Sequence, residues 1–442
     1  MGKTIRRILS VGLLWLLILI PLSPATEVQY MNLTFVGKIL SDNITEQSSS
    51  FIFSGDSILW NNISAGGVLY LYSLTDNSTR LIAMSPGGMI MPDGYTMSDG
   101  TIVWSNDSNI LHEYTIALGR DHIIPNTNTT GSQKTYFWNG FPGIQRWEPS
   151  VYGDRVVWFQ GYPSGTYRKA DIAFLNTTTD EMTLINESPS AKGGLQINGD
   201  HVVWYAYDED VTDTSGPATE SSINLYNIVT GKDTVVCPEP GLKGQAALSG
   251  NYIGWTDFGN PLATPRPLWR VSIYTISSGT TQTVPSTSMD QNLDFIFGDY
   301  AVYTECPAYN AADKATNEES CQDKIFDIRT GSTWQILPSW TDQNIVGYSD
   351  GLFLVEDTRG DTPALSLFRA DNLPPADTTT ATPAPAMPEN NVTSPAGTTL
   401  SVPPVAGTRP TPTRASLSAL IPVTGVSAVC LALGASRKVK RL

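Results

Sequence analysis

From residue 34 to residue 368 the apolar positions fall in short alternating runs bounded by Gly, Asp, Asn, Ser and Thr, the period-two pattern of strands with one buried face. One run recurs with its turn. Ser54-Gly55-Asp56-Ser57-Ile58-Leu59-Trp60, Ser98-Asp99-Gly100-Thr101-Ile102-Val103-Trp104 and Tyr152-Gly153-Asp154-Arg155-Val156-Val157-Trp158 share a tight turn and an alternating strand ending in an aromatic. Asn198-Gly199-Asp200 leads to Trp204, Ser249-Gly250-Asn251 to Trp255, Phe297-Gly298-Asp299 to Tyr303, and a degenerate Ser349-Asp350-Gly351 to Val355. The markers at 60, 104, 158, 204, 255, 303 and 355 are 44, 54, 46, 51, 48 and 52 residues apart.

A period near 50 with a Gly-Asp hairpin, a second strand such as Ile223-Asn224-Leu225-Tyr226 and a later Thr-Gly turn predicts four-stranded blades of an all-β propeller, seven of them. Gly belongs at the turn because two-residue hairpins need positive φ, which Asp and Asn tolerate next best. The last repeat runs out after Ala364-Leu365-Ser366-Leu367-Phe368 without a fourth strand. Thr34-Phe35-Val36-Gly37-Lys38-Ile39 is a strand with no blade of its own, so it is expected to complete the last blade and remove an open edge.

Arg146-Trp147-Glu148-Pro149-Ser150-Val151-Tyr152-Gly153-Asp154-Arg155-Val156-Val157-Trp158, followed by Asp171-Ile172-Ala173-Phe174 and a Thr-rich turn, resembles the TolB-like propeller repeat of archaeal, especially methanogen, surface proteins. The resemblance spans about residues 32–370 and is clearest in the third to fifth repeats. It implies a fold and a surface location, with no family active site to carry over.

The ends fit that layout. Lys3, Arg6 and Arg7 precede an apolar run from Ile8 to Ile20 and small residues to Ala25, the order of a secretory signal, so residues 1–25 are expected to be removed. After the body (26–372), the segment 373–414 is a stalk: positions 374–414 hold ten Pro and ten Thr. Residues 415–436 read as a transmembrane helix or, through Ile421-Pro422-Val423-Thr424-Gly425, as a sorting signal, and 437–442 as a basic cytoplasmic tail.

The body carries 40 acidic and 18 basic residues, a net charge of -22, which disfavours nucleic acid and anionic lipid. Export makes Asn32, Asn43, Asn62, Asn77, Asn106, Asn128, Asn176, Asn186 and Asn391 candidate glycan acceptors. It also favours a disulfide between Cys306 and Cys321, leaving Cys237 odd and buried and Cys430 in the anchor.

Recognisable chemistry is sparse. There is no G-x-S-x-G elbow, H-E-x-x-H pair or phosphate-cradling loop, and His112, His122 and His201 are scattered. Asp327-Ile328-Arg329-Thr330-Gly331-Ser332-Thr333-Trp334 approaches the sialidase box with an Asp-to-Gly spacing two residues too long. Forty carboxylates guarantee that some pair lies at glycosidase spacing by chance. Asp208, Asp210 and Asp213 offer hard oxygen donors for calcium without a regular loop.

The Gly-Asp turns are tight, whereas the connections 159–170, 205–222, 256–269 and 304–323 and the stretch 125–148 are long. Chain direction puts all of these on one face, with Tyr136, Phe137, Trp138, Tyr162, Tyr167, Tyr207, Trp269 and Tyr309. The expectation is a surface-anchored, non-enzymatic propeller binding an extracellular or envelope protein or glycan there. The alternative is an extracellular propeller hydrolase or lyase acting on polysaccharide or peptide.

Overall fold

The computed structural model describes residues 29–39, 44, 48–62, 67–84, 94–105, 110–124, 137–138, 141–142, 145–163, 168–186, 190–207, 220–286, 288–308, 321–336, 343–358, 362–371 and 373. The expected signal, anchor and tail, and the stalk beyond residue 373, lie outside them. Every regular element among the described residues is a strand.

Seven blade sheets form among the described residues; five have their strands in sequence order from the inside outward, and the other two, blades 6 and 7, follow that order except for an outermost strand taken from the amino-terminal segment. Their first strands are Ser48–Ser54, Tyr95–Ser98, Gln145–Tyr152, Lys192–Asn198, Leu242–Ser249, Met289–Phe297 and Gln343–Ser349. Each first strand touches that of the next blade, and the seventh touches the first, so the ring closes around an axis lined by first strands. The chain is a seven-bladed β-propeller.

Closure is made by Leu33–Ile39, which pairs antiparallel with Ala364–Ala370 as the outermost strand of blade 7, Ile39 opposite Leu365. One element was not expected: Gln29–Met31 adds a fifth, parallel strand to blade 6 beside Thr333–Ile336. Met31 is buried there with Ile336, Ile345 and Phe353. The amino-terminal segment therefore straps two successive blades.

Apolar faces of the inner strands meet the neighbouring blade, giving seven apolar clusters for seven seams. The aromatic markers fill them: Trp60, Trp158, Trp204, Trp255 and Tyr303 are fully buried. An aromatic at the second strand removes some 150 to 250 Å² from water, which explains why the repeat keeps that position large.

The turns take two forms. Gly55, Gly153, Gly199, Gly250 and Gly298 have φ between 49 and 57° with the following Asp or Asn outside the positive region, the type II′ pattern. In blades 2 and 7 the order is Asp-Gly and both residues are positive, Asp99 at 48° with Gly100 at 79° and Asp350 at 49° with Gly351 at 80°, the type I′ pattern. Either twists with its strands. The second turn residue then anchors the end of the third strand: the carbonyls of Asp56, Asp154, Asp200, Asn251 and Asp299 accept from Leu74, Thr177, Ile228, Ile276 and Ile328 amides at 2.8 to 2.9 Å.

Part of what the sequence marks as long connections is strand. In blade 3 the second and third strands extend to Pro163 and from Arg168, and in blade 6 to Pro307 and from Gln322. Inside 125–148, Phe137–Trp138 pairs with Phe141–Pro142 as a small hairpin.

Candidate functional site

The first strands would be buried on both sides if they were regular. They carry bulges, at Ser49/Ile52, Trp147/Ser150, Gly193/Gln196, Gly244/Ala247, Leu293/Phe295 and Ile345/Gly347. The extra residue interrupts the ladder and turns a side chain out of the sheet. Ser50, Gln245 and Asp294 are exposed within strands whose neighbouring side chains are mostly buried. These strands surround the axis, so the bulge residues line the central channel. Three of them, Ser50 at 54°, Glu148 at 47° and Gln245 at 54°, have positive φ without being glycine, a local strain that the surrounding contacts hold.

In blade 5 a buried threonine locks the bulge. The Thr256 hydroxyl donates to Gln245 Oε1 at 2.9 Å and accepts the Leu293 amide of blade 6 at 2.9 Å. Blade 6 has the same threonine, Thr304, one residue after its marker aromatic, but different partners. Thr304 Oγ1 lies 2.9 Å from Asp294 Oδ2 on the bulge and 2.9 Å from Asp323 Oδ1 on the third strand. The amide of Ile345 in blade 7 donates to Asp323 Oδ2 at 3.0 Å. One hydroxyl has one proton, so it donates to one carboxylate at a time. The two carboxylate oxygens, each 2.9 Å from the same atom, are at most about 5.8 Å apart.

Buried charge surrounds this pair at the same end of blades 5 and 6. Asp290, with its side chain 6 % exposed, forms an ion pair with Arg266 at 2.5 Å and accepts the Trp269 amide at 2.9 Å. Glu305, with its side chain 3 % exposed, is ion-paired with Lys324 and receives Gln291 Nε2 at 3.4 Å. Burial holds the Tyr303 hydroxyl protonated far above its ordinary range, with the Glu305 charge acting in the same direction. Lys243 is fully buried, its ammonium donating to the Glu239 and Gly241 carbonyls. Lys192 occupies the equivalent position in blade 4 and donates to Ala170 O. These two lysines staple the connections between blades. Asp294 and Asp323 stand apart because they converge on one hydroxyl beside the channel.

The aromatic residues expected on the loop-bearing face are placed only in part. Tyr207 is half-buried, edge-on to Tyr205 at 5.4 Å. Trp269 is half-buried between Phe258, edge-on at 4.9 Å, and the Arg266 guanidinium at 5.2 Å. Tyr136, Tyr167 and Tyr309 lie outside the described residues, as do the side chains of Phe137, Trp138 and Tyr162 and the calcium candidates Asp208, Asp210 and Asp213. Of the sequons, Asn32 and Asn77 are exposed, and Asn176 and Asn186 half-exposed. Asn62 is 5 % exposed, and a side chain buried in the second strand of blade 1 has no room for a glycan. Asn43, Asn106, Asn128 and Asn391 are outside the described residues.

Cys306 and Cys321 are disulfide-bonded, and Cys237 is a buried free thiol whose pKa burial and the Glu239 carboxylate raise to about 12. The histidines do not converge. His112 contacts Asp121 at 3.1 Å, His122 lies 3.8 Å from Glu113, and His201, its pKa lowered by burial, meets Asn227 at 3.2 Å. No group of three or more metal-ligating side chains occurs among the described residues.

No family model and no curated protein matches the chain. Many solved structures do, at low identity. Puromycin hydrolase aligns with 78 % of this chain and 56 % of its own length, at 10 % identity and a TM-score of 0.51. An oligogalacturonate lyase in complex with manganese aligns with 78 % of this chain and 99 % of its own, at 10 % identity and 0.49. The propeller domain of the Trilobed protease from Pyrococcus furiosus aligns with 76 % and 96 %, at 13 % identity and 0.45. Identities this low show the fold alone. Against the expectation of a non-enzymatic binder, one structure of this likeness is that of a hydrolase, so the fold gives no ground for excluding an enzyme. The absence of a contiguous motif was no ground for excluding catalysis: residues converging on this axis come from different strands.

Proposed function

We propose that the protein is an extracellular glycoside hydrolase, with Asp294 and Asp323 as its two carboxylates at the channel wall of blade 6. The observation that carries this reading is their shared contact with Thr304, which keeps the two carboxylate oxygens within about 5.8 Å. Retaining glycosidases hold their two carboxyl groups about 5 to 5.5 Å apart, so that one attacks the anomeric carbon while the other protonates the leaving oxygen. Asp323 is the nucleophile, because the Ile345 amide and the Thr304 hydroxyl fix its orientation. Asp294, exposed to the channel, exchanges protons with water and serves as acid and then base. The TolB-like repeat, the amino-terminal signal pattern and the Pro/Thr-rich stalk support placement at an archaeal cell surface, where polysaccharide is at hand.

The test is turnover by the full chain of a panel of neutral, amino and acidic polysaccharides and aryl glycosides, with product stereochemistry followed by NMR. Asp294→Asn and Asp323→Asn should each lower kcat by roughly 10²- to 10⁴-fold, with retention at the anomeric carbon. Cleavage that persists in both variants, or no glycan cleaved at all, overturns the assignment.

A further inference from the structure

We propose that the Cys306–Cys321 disulfide is a positioning element of this site, holding Asp323 against Thr304 and against blade 7; its catalytic consequence rests on the hydrolase reading above. The second and third strands of blade 6 are in register as Tyr303 with Lys324, Thr304 with Asp323 and Glu305 with Gln322. The disulfide joins the next pair outward, Cys306 with Cys321, 15 residues apart in sequence. Asp323 is therefore two rungs from the cross-link. Fourteen residues lie between the two cysteines in sequence, and an uncross-linked hairpin with a connection of this size opens from its loop end, where closure entropy opposes the last rungs. Losing two rungs is enough to release Asp323.

The neighbouring blade holds its loop end by other means. In blade 5, Asp257 Oδ1 accepts the Gly259 amide at 2.8 Å, and Arg266 ties the loop to Asp290 of blade 6. In blade 6 the covalent bond occupies that place. The consequence crosses blades, because Asp323 Oδ2 accepts the Ile345 amide. Ile345 is 4 % exposed and belongs to the cluster with Met31, Ile336, Phe353 and Val355, which does not depend on the disulfide. Reduction by a dithiol breaks the S–S bond, gives two thiols and leaves the dithiol as its cyclic disulfide. That step loosens the site and leaves the ring intact.

The experiment compares the full chain oxidised, reduced with a dithiol, and as the Cys306→Ala/Cys321→Ala variant. Amide exchange is read residue by residue at Ile345, Phe353 and Leu354, beside kcat and KM on any glycan the oxidised protein cleaves. In both uncross-linked forms Ile345 exchange should rise by roughly tenfold or more while Phe353 and Leu354 stay protected. Displacement of a catalytic carboxylate by about 1 Å lowers kcat by up to about 10²-fold with KM little changed. Asp323→Ala should raise Ile345 exchange to the same level and make it insensitive to the dithiol.

Unchanged Ile345 exchange in both forms overturns the positioning role. So does loss of protection at Phe353 and Leu354 together with Ile345, which would make the disulfide a support of the whole blade. If Ile345 loosens alone but no glycan is cleaved even by the oxidised protein, the positioning stands and the hydrolase reading falls.

Discussion

Ile39→Ala tests ring closure at the one strand that joins the two ends of the body. Ile39 is 5 % exposed and packs with Phe53, Ile58 and Trp60 of blade 1 and Leu354 and Leu365 of blade 7. The substitution removes three carbons at about 0.8 kcal/mol each. Neither flanking blade relaxes freely into the gap, because both are fixed by their other seams, so a cavity contribution brings the loss to about 3 kcal/mol. Val36, on the same strand and 46 % exposed, is the control, and Val36→Ala should change stability by less than about 0.5 kcal/mol. Urea unfolding of the full chain, followed by tryptophan fluorescence with Trp60 inside the affected cluster, reads the difference. With a slope of about 3 kcal/mol/M the midpoint should fall by about 1 M for Ile39→Ala and stay within error for Val36→Ala. Equal shifts for the two, or a loss below about 1 kcal/mol at Ile39, would refute the claim that this strand seals the ring through its apolar face.

Three further outcomes follow from the buried polar groups. Arg266→Ala leaves Asp290 buried without its cation and should cost about 3 kcal/mol in urea unfolding; a change near zero would mean that the Trp269 amide suffices. The Cys237 thiol, raised to about 12, should resist alkylation at pH 8 in the folded protein and react at once in denaturant, as mass spectrometry of quenched samples would show. His201 has a folded pKa below its unfolded value of about 6.5. The unfolded chain therefore binds more protons at mildly acid pH, and stability falls as pH drops through that value. His201→Asn should flatten the decline in Tm between pH 7 and 5, and an unchanged slope would show that other groups set it.

The sequence carried the blade because the blade is local. Alternation, the Gly-Asp or Asp-Gly turn and an aromatic at a fixed offset are all written within about a dozen residues, and the strand lacking a blade at Thr34 to Ile39 could be matched to the blade lacking a strand by counting. The fifth strand at Gln29–Met31 was not legible, since three residues carry no period and their pairing is decided by what lies beside them once blade 6 has formed.

The site was hidden for a related reason. Thr256 and Thr304 each follow a marker aromatic directly, a local signal that could have singled them out. Asp294 reaches the channel only because a bulge between Leu293 and Phe295 shifts the alternation that would otherwise decide which way it faces. Asp323 lies 29 residues further on, across a connection whose length says nothing about register. Loop aromatics were visible by type, and that drew attention to the rim, while the converging carboxylates lie on strands and looked like two among forty. What the sequence determined by itself is the repeat, its number and its means of closure, because these follow from nearest-neighbour backbone and side-chain preferences. Only the tertiary structure decided which two acids share a hydroxyl, because that depends on bulge register, blade twist and the packing of one blade against the next.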